Sequence, residues 1–321
     1  MRTIILLIVL TCINLMSLKA QGCKELLYAV KNNDITKVTQ LLETVNPNCK
    51  YDKVIQPRSP LGMASLNGNL SIVKLLIKAG AKVSYRHNND ASPLMIAAQN
   101  GHYKVSKYLI DQGAKINSKI TGDGTPLISA IRGQNIDIVK LLLKNGANPN
   151  TEVSGDGNPM IIAGSLDDTK ILELLASYTS DIDNATVGDG TALIIAASRG
   201  NLTMVKTLVR LGADVNKKVD RDGNPLIAAS KKGHLEIVMF LVESGALVNS
   251  YVVGDETPLI NAAWNGHLDV VKYLIEKGAN VNKAVRDSYS LFSEKRSPLS
   301  MANIGNHQEV VNYLISKGAI K

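Results

Sequence analysis

Two kinds of chemistry-bearing side chain recur at a fixed interval in this chain. Asp123, Asp156, Asp189, Asp222 and Asp255 stand at equal spacings of about 33 residues. His102, His234 and His267 share another position of the same interval, and His307 follows after a longer gap. A row of carboxylates invites calcium, but calcium needs oxygen ligands converging within about 2.6 Å of one ion. Side chains on successive stacked units lie about one helix diameter apart, roughly 10 Å, so the aspartates read as turn residues. The periodic histidines read as structural groups at a turn, and His87 as an isolated residue in a polar loop. No Ser or Cys stands in a recognisable motif with a His and an acid, and no glycine-rich loop ends in Gly-Lys-Ser or Gly-Lys-Thr. The expectation is a non-enzyme with no cofactor and no bound metal.

The elements behind this interval are legible. Pro60, Pro93, Pro126, Pro159, Pro225 and Pro258 open Pro-Leu or Pro-Met steps at the same spacing or a multiple of it; Ala192 fills the vacant place and Pro298 restarts the pattern after a longer gap. Such a period signals stacked units that bury a core only against their neighbours. In residues 125–150, Thr125 is an N-cap, Pro126 sits at the first helical position, and Leu127, Ile128 and Ala130 form a short helix. A second helix spans Ile136 to Lys144 with Ile138, Leu141 and Leu142 on one face, and Gly146 stops it at positive φ. The predicted fold is an all-α repeat solenoid of helix-turn-helix units joined by short β-hairpins or loops. It covers residues 21–321 as about nine units, with residues 25–57 and 297–321 as end caps and an insert at 284–296. A second insert precedes Ser59, and Tyr289, Leu291 and Phe292 in the later one are read as covering the last groove or forming a contact patch. The unit from Asn158 looks worn: Asp167 replaces the inter-helix glycine, and positive φ there would make this the weakest joint of the stack.

Residues 1–20 differ in kind. Arg2, the apolar run Ile4 to Leu10 and the ending Ser17-Leu18-Lys19-Ala20 read as a signal peptide, with an uncleaved anchor as the competing reading. The apolar run is shorter than the roughly 20 residues that span a bilayer. The expected destination is therefore periplasmic or secreted, without stable membrane insertion. Without Arg2 and Lys19, 34 Lys and Arg oppose 28 Asp and Glu, a net of +6 that reads as a mild excess spread over many units. Aromatics make up only 4% of the chain, which argues against nucleic-acid binding. Cys23 and Cys49 bracket the first helix pair, and export permits a disulfide between them. Two free thiols, or a lipid on Cys23 after the poor lipobox Ala20-Gln21-Gly22, are the alternatives.

These residues together resemble the ankyrin repeat: Thr-Pro-Leu, Ala262-Ala263, Gly266-His267, Val270-Val271, Leu274-Ile275, then Gly278-Ala279 with Val281-Asn282. The resemblance runs from about 25 to 321. It implies L-shaped helix pairs stacked into a curved solenoid that binds proteins on its concave face and hairpin tips. The chain departs from the family where Met95, Ile128, Ile161, Ile194, Ile227 and Ile260 replace the histidine after Pro-Leu, so the polar link that histidine makes is lost or replaced. The variant looks like arrays of exported bacterial proteins, some of them tails of membrane-embedded metallopeptidases whose His-Glu-x-x-His motif is missing here. In such arrays the residues before the inter-helix glycine project into the groove. That points to Gln99, Asn100, Arg132, Arg199, Lys231, Lys232, Trp264 and Asn265, with an acidic or mixed surface as the target of the cations. The resulting expectation is a monomeric scaffold for a protein partner. The alternatives are an accessory or protective periplasmic protein or regulatory partner of a membrane-embedded peptidase, and a small-molecule or glycan binder.

Overall fold

The computed structural model describes residues 20–51, 57, 59–85, 90–120, 122, 124–153, 157–186, 188–252, 255–286 and 295–320. The signal-peptide reading, Asp123, Asp156, His87, Tyr289, Leu291, Phe292 and nearly all of the first insert lie outside these residues. The chain divides into two compact units, Met1–Asn148 with Val153–Asp156, and Pro149–Glu152 with Gly157–Lys321.

The first unit holds four helix pairs: α1 (described part 20–31) with α2 (Ile35–Leu41), α3 (Pro60–Asn67) with α4 (Leu70–Lys78), α5 (Pro93–Gln99) with α6 (Tyr103–Asp111), and α7 (Pro126–Arg132) with α8 (Ile136–Lys144). The second holds five: α9 (Pro159–Gly164) with α10 (Lys170–Ala176), α11 (Ala192–Arg199) with α12 (Leu202–Arg210), α13 (Pro225–Lys232) with α14 (Leu235–Glu243), α15 (Pro258–Trp264) with α16 (Leu268–Glu276), and α17 (Pro298–Ile304) with α18 (Gln308–Ser316). Strands β1 (Val285–Arg286) and β2 (Lys295–Arg296) pair antiparallel ahead of α17. The other hairpins shrink to single bridges such as Ile120 with Gly124 and Val219 with Gly223. Within each unit the fold is an all-α stack of repeated pairs.

Local sequence explains both helix rows. Thr125 accepts the Ile128 N–H, and Ser59, Ser92, Asn158, Thr191, Asn224, Thr257 and Ser297 do the same for their own first helices. Each such cap contributes about 1 kcal/mol. The first helices are buried over most of their length and pack on one another, α3 on α5 on α7 and α9 on α11 on α13 on α15 on α17. The second helices are amphipathic: in α8, Ile138, Val139, Leu142 and Leu143 are buried while Lys140 and Lys144 face water.

Polar links between repeats survive at a different position from the one the family pattern suggests. Met95, Ile128, Ile161, Ile194, Ile227 and Ile260 are all buried apolar contacts. The link comes instead from the residue capping the second helix. His102 Nε2 donates to Leu66 O at 2.8 Å, and His234, His267 and His307 donate to Ser198 O, Lys231 O and Trp264 O at 3.0–3.1 Å. A carbonyl can only accept, so Nε2 carries the proton in each. Asn135 makes the same reach to Ala98 O and Gln99 O. A second ladder, which the motif reading missed, runs past the second helices. Asn117 Nδ2 donates to Gly146 O and its Oδ1 accepts the Asn148 N–H; Asn216, Asn249 and Asn282 repeat the arrangement one repeat on each time.

The expectation for Asp167 is corrected. It is not held at positive φ; among the described residues the non-glycine ones there are Asn33, Gln134, Arg221 and Asn306. Gln134 and Asn306 take the left-handed turn that glycine takes in other repeats. The Asp167 repeat avoids it by shortening, with α9 six residues long and α10 seven.

Cys23, on α1 and buried, is bridged to Cys49 across a Cα separation of 5.8 Å. This takes up the sulfur that the lipid and free-thiol alternatives required. The loop spans 26 residues, and closing a loop of that size restricts the unfolded chain by about 3.5 kcal/mol. Cys23→Ser with Cys49→Ser should lose on the order of 3 kcal/mol in urea unfolding; an unchanged midpoint would show that the bridge does not constrain the unfolded chain. The glycines supply a second prediction. A Cβ on Gly233, at φ +76, would sit 2.5 Å from His267 Nδ1, whereas one on Gly113, at φ +83, meets nothing within 4 Å. Gly113→Ala should cost about 1 kcal/mol for the left-handed backbone alone. Gly233→Ala should cost about 1 kcal/mol more through the displaced histidine link, and equal losses in thermal melts would contradict this.

Candidate protein-binding surface

Each first helix ends where the chain turns back, and the last side chains of these helices reach solvent. Gln99 and Asn100 close α5, Arg132 closes α7, Arg199 closes α11, Lys231 and Lys232 close α13, and Trp264 and Asn265 close α15; all eight are exposed. The first three belong to one compact unit and the other five to the second. Cations here also complement the negative end of the helix dipole, a structural reason for Arg132, Arg199 and Lys232 independent of any partner. Asn100 and Asn265 are committed differently from what was expected. Their Nδ2 groups donate to Ile96 O and Asn261 O of their own helices, at 2.8 and 2.9 Å. They serve first as helix ends.

Trp264 is 39% exposed. Its carbonyl accepts from His307, and the Arg296 guanidinium lies 5.9 Å from the ring centroid, within cation–π range. Arg296, delivered by β2, is also hydrogen-bonded to the buried carboxylate of Glu256. The ring is therefore partly covered, with Arg296 beside it and part of it left accessible. Sequence reasoning missed Arg296 because both partners, Trp264 and Glu256, lie on the far side of the insert. The repeated Arg-Ser-Pro before the second and last repeats was the available signal.

Beside this pair, Lys231 Nζ is 4.0 Å from Asp255 Oδ1. Asp255 is mostly covered; burial raises its pKa, the neighbouring Glu256 raises it further, and Lys231 works against both. Asn261, wholly buried, donates to Asp255 Oδ1 at 3.4 Å. Lys231 is thus partly spent inside the protein, while Arg199 and Lys232 are exposed and form no ion pair among the described residues. Of the aspartate ladder, Asp222 Oδ2 accepts the Gly188 N–H at 3.0 Å, a link from one turn to the preceding one. Among the described residues no group of three or more His, Cys, Asp and Glu is placed to hold a metal, and no helix is long and apolar enough to cross a membrane.

A family model described as ankyrin repeats (3 copies) matches residues 26–120, 117–186, 160–252, 193–285 and 251–321. No curated protein matches the chain.

A raised carboxylate pKa has a definite sign. The stability Asp255 contributes is fully present below the ordinary carboxylate range and is lost as pH rises through its elevated folded value. Asp255→Asn cannot titrate, so the native chain should gain on it in urea titrations as pH falls from about 7 toward about 4. A stability difference that stays constant over that range would remove the strain assigned to this carboxyl.

Proposed function

Since the chain belongs to the ankyrin-repeat family, whose members are generally protein-interaction scaffolds and typically not enzymes, we propose that it is an exported, non-enzymatic scaffold that holds a protein partner on the exposed ends of its first helices. The observation carrying this is Trp264. The chain has one tryptophan, and it stands partly open at the end of α15, beside Arg296 and flanked by Lys231 and Lys232 of the preceding repeat. Tryptophan and arginine dominate binding hot spots because a rigid ring offers large contact area at little entropic cost. Arg199 and Lys232 suit acidic side chains on the partner. The Cys23–Cys49 bridge supports an oxidising compartment, where such bridges persist, and with it the leader-like residues 1–20.

The sole indole gives the test its own reporter. Titrating the purified protein with its captured partner should shift Trp264 emission, and Trp264→Ala should weaken binding by about 30-fold, the effect of losing a hot spot of roughly 2 kcal/mol. Lys232→Glu should weaken it further, and more than Lys231→Glu, because Lys231 is already engaged with Asp255. Capture that survives both Trp264→Ala and Lys232→Glu would move the binding surface away from the first-helix ends.

A further inference from the structure

The net charge is not spread evenly, contrary to what the composition suggests. From residue 20 onward the first compact unit has 17 Lys and Arg against 9 Asp and Glu, a net of +8, and the second has 17 against 19, a net of −2. Half of the first unit's excess lies on three neighbouring helices, six lysines against two acids. Lys74 and Lys78 on α4, Lys104 and Lys107 on α6, and Lys140 and Lys144 on α8 are all exposed. Spacings of three and four residues put the cations of each helix on one side, and α4, α6 and α8 pack side by side. Neighbouring helices in contact lie about 8–10 Å apart, so Lys74, Lys107 and Lys140, at the same position of successive repeats, form a regular row. The same three helices carry only two acids, Asp111 and Asp137. Asp111 pairs with Lys107 at 2.9 Å, and Lys74 lies 5.5 Å over the Tyr108 ring. The equivalent helices of the second unit, α10, α12, α14, α16 and α18, reverse the balance with four cations and six acids.

We propose that the outer face of α4, α6 and α8 is a docking surface for an anionic lipid membrane. Its cations are all lysine. Lysine is a strongly hydrated point charge without the bidentate fork by which arginine grips phosphate, carboxylate or nucleic acid. Specific protein interfaces are depleted in lysine and enriched in arginine and aromatic residues, and single-strand nucleic-acid grooves add stacking rings. This face has one exposed large aromatic among its described residues, Tyr103. A row of lysines at one repeat position over three adjacent helices, with Lys78, Lys104 and Lys144 beside it, matches a plane of diffuse negative charge instead, at about five-fold in affinity per lysine near the surface. Such adsorption needs no membrane-crossing helix. It also leaves the first-helix ends unused, so it stands or falls independently of the protein-binding reading.

The test is co-sedimentation of the full, disulfide-bonded chain with vesicles of phosphatidylcholine alone and with added phosphatidylglycerol. Binding should require the anionic lipid and weaken from low salt to about 0.15 M. The triple variant Lys74→Glu, Lys107→Glu, Lys140→Glu should bind more than about 100-fold more weakly, since each change removes a positive charge and adds a negative one. The corresponding Lys→Gln triple variant, which adds no repulsion and keeps the proposal testable should the first variant misfold, should lose about as much as three lysines supply. Lys206→Glu with Lys272→Glu, at the same repeat position in the second unit, and Trp264→Ala should both bind vesicles like the native chain. Equal binding to neutral and anionic vesicles, full retention by the Lys→Gln variant, or equal loss in the second-unit variant would each overturn the proposal. Binding to polyglutamate without binding to vesicles would overturn it too, in favour of an acidic protein.

Discussion

A first helix such as α7, with every residue from Pro126 to Ile131 buried, has no side to offer water. It exists only because another first helix covers it, and that requirement passes from repeat to repeat. Close approach is what makes the cover effective, so small residues such as Ala97-Ala98 and Ala262-Ala263 lie wholly buried between layers. The ends of these short helices pose a polar problem in turn: their last carbonyls have no donors within the helix. The next repeat supplies them through His102, Asn135, His234, His267 and His307. Apolar stacking and the donor ladder are therefore one constraint, since neither side chain nor carbonyl reaches its partner unless the layers are in register.

This explains why so much of the fold was legible. The repeat interval is the spacing of layers, and every layer must solve the same problem with similar residue types, so Thr125, Pro126, Gly146 and their equivalents announce their roles. The histidines read correctly as structural for the same reason. The Asp167 expectation failed because a sequence position does not dictate a backbone angle: a missing glycine can be met by strain, as at Gln134 and Asn306, or by shortening the helices, as around Asp167. The asparagine ladder at Asn117, Asn216, Asn249 and Asn282 was periodic in plain sight. Its meaning depends on which carbonyl lies opposite, and spacing alone does not specify that.

The candidate surface was legible in part. The eight positions were placed correctly on exposed helix ends, because the turn that ends each first helix is fixed by the stack. Their engagement was not readable. Lys231 leans toward Asp255, Asn100 and Asn265 close their own helices, and Arg296 reaches Trp264 from a hairpin inserted ahead of the following repeat. Such contacts join side chains from different repeats whose pairing no period encodes. The same holds for charge. Composition gave a small net excess, and only the division into two compact units reveals that one of them carries all of it.

At the ends of the first helices, stacking uses the backbone of a residue and leaves its side chain out of the bond. Leu66, Gln99, Ser198, Lys231 and Trp264 occupy one repeat position, and each gives its backbone oxygen to the following repeat. The side chain at that position takes no part in the bond, which is why an aliphatic, an amide, a hydroxyl, a cation and an indole all serve there. A change from Lys231 to another side chain leaves the carbonyl and its histidine donor where they were, so the cost to stacking is small. The donor enjoys no such freedom: replacing His267 removes the bond to Lys231 O, at about 1 kcal/mol for a hydrogen bond of this kind. The array can thus present a different row of groups on its surface without rebuilding its core, because the bond between layers at this position uses only backbone oxygens.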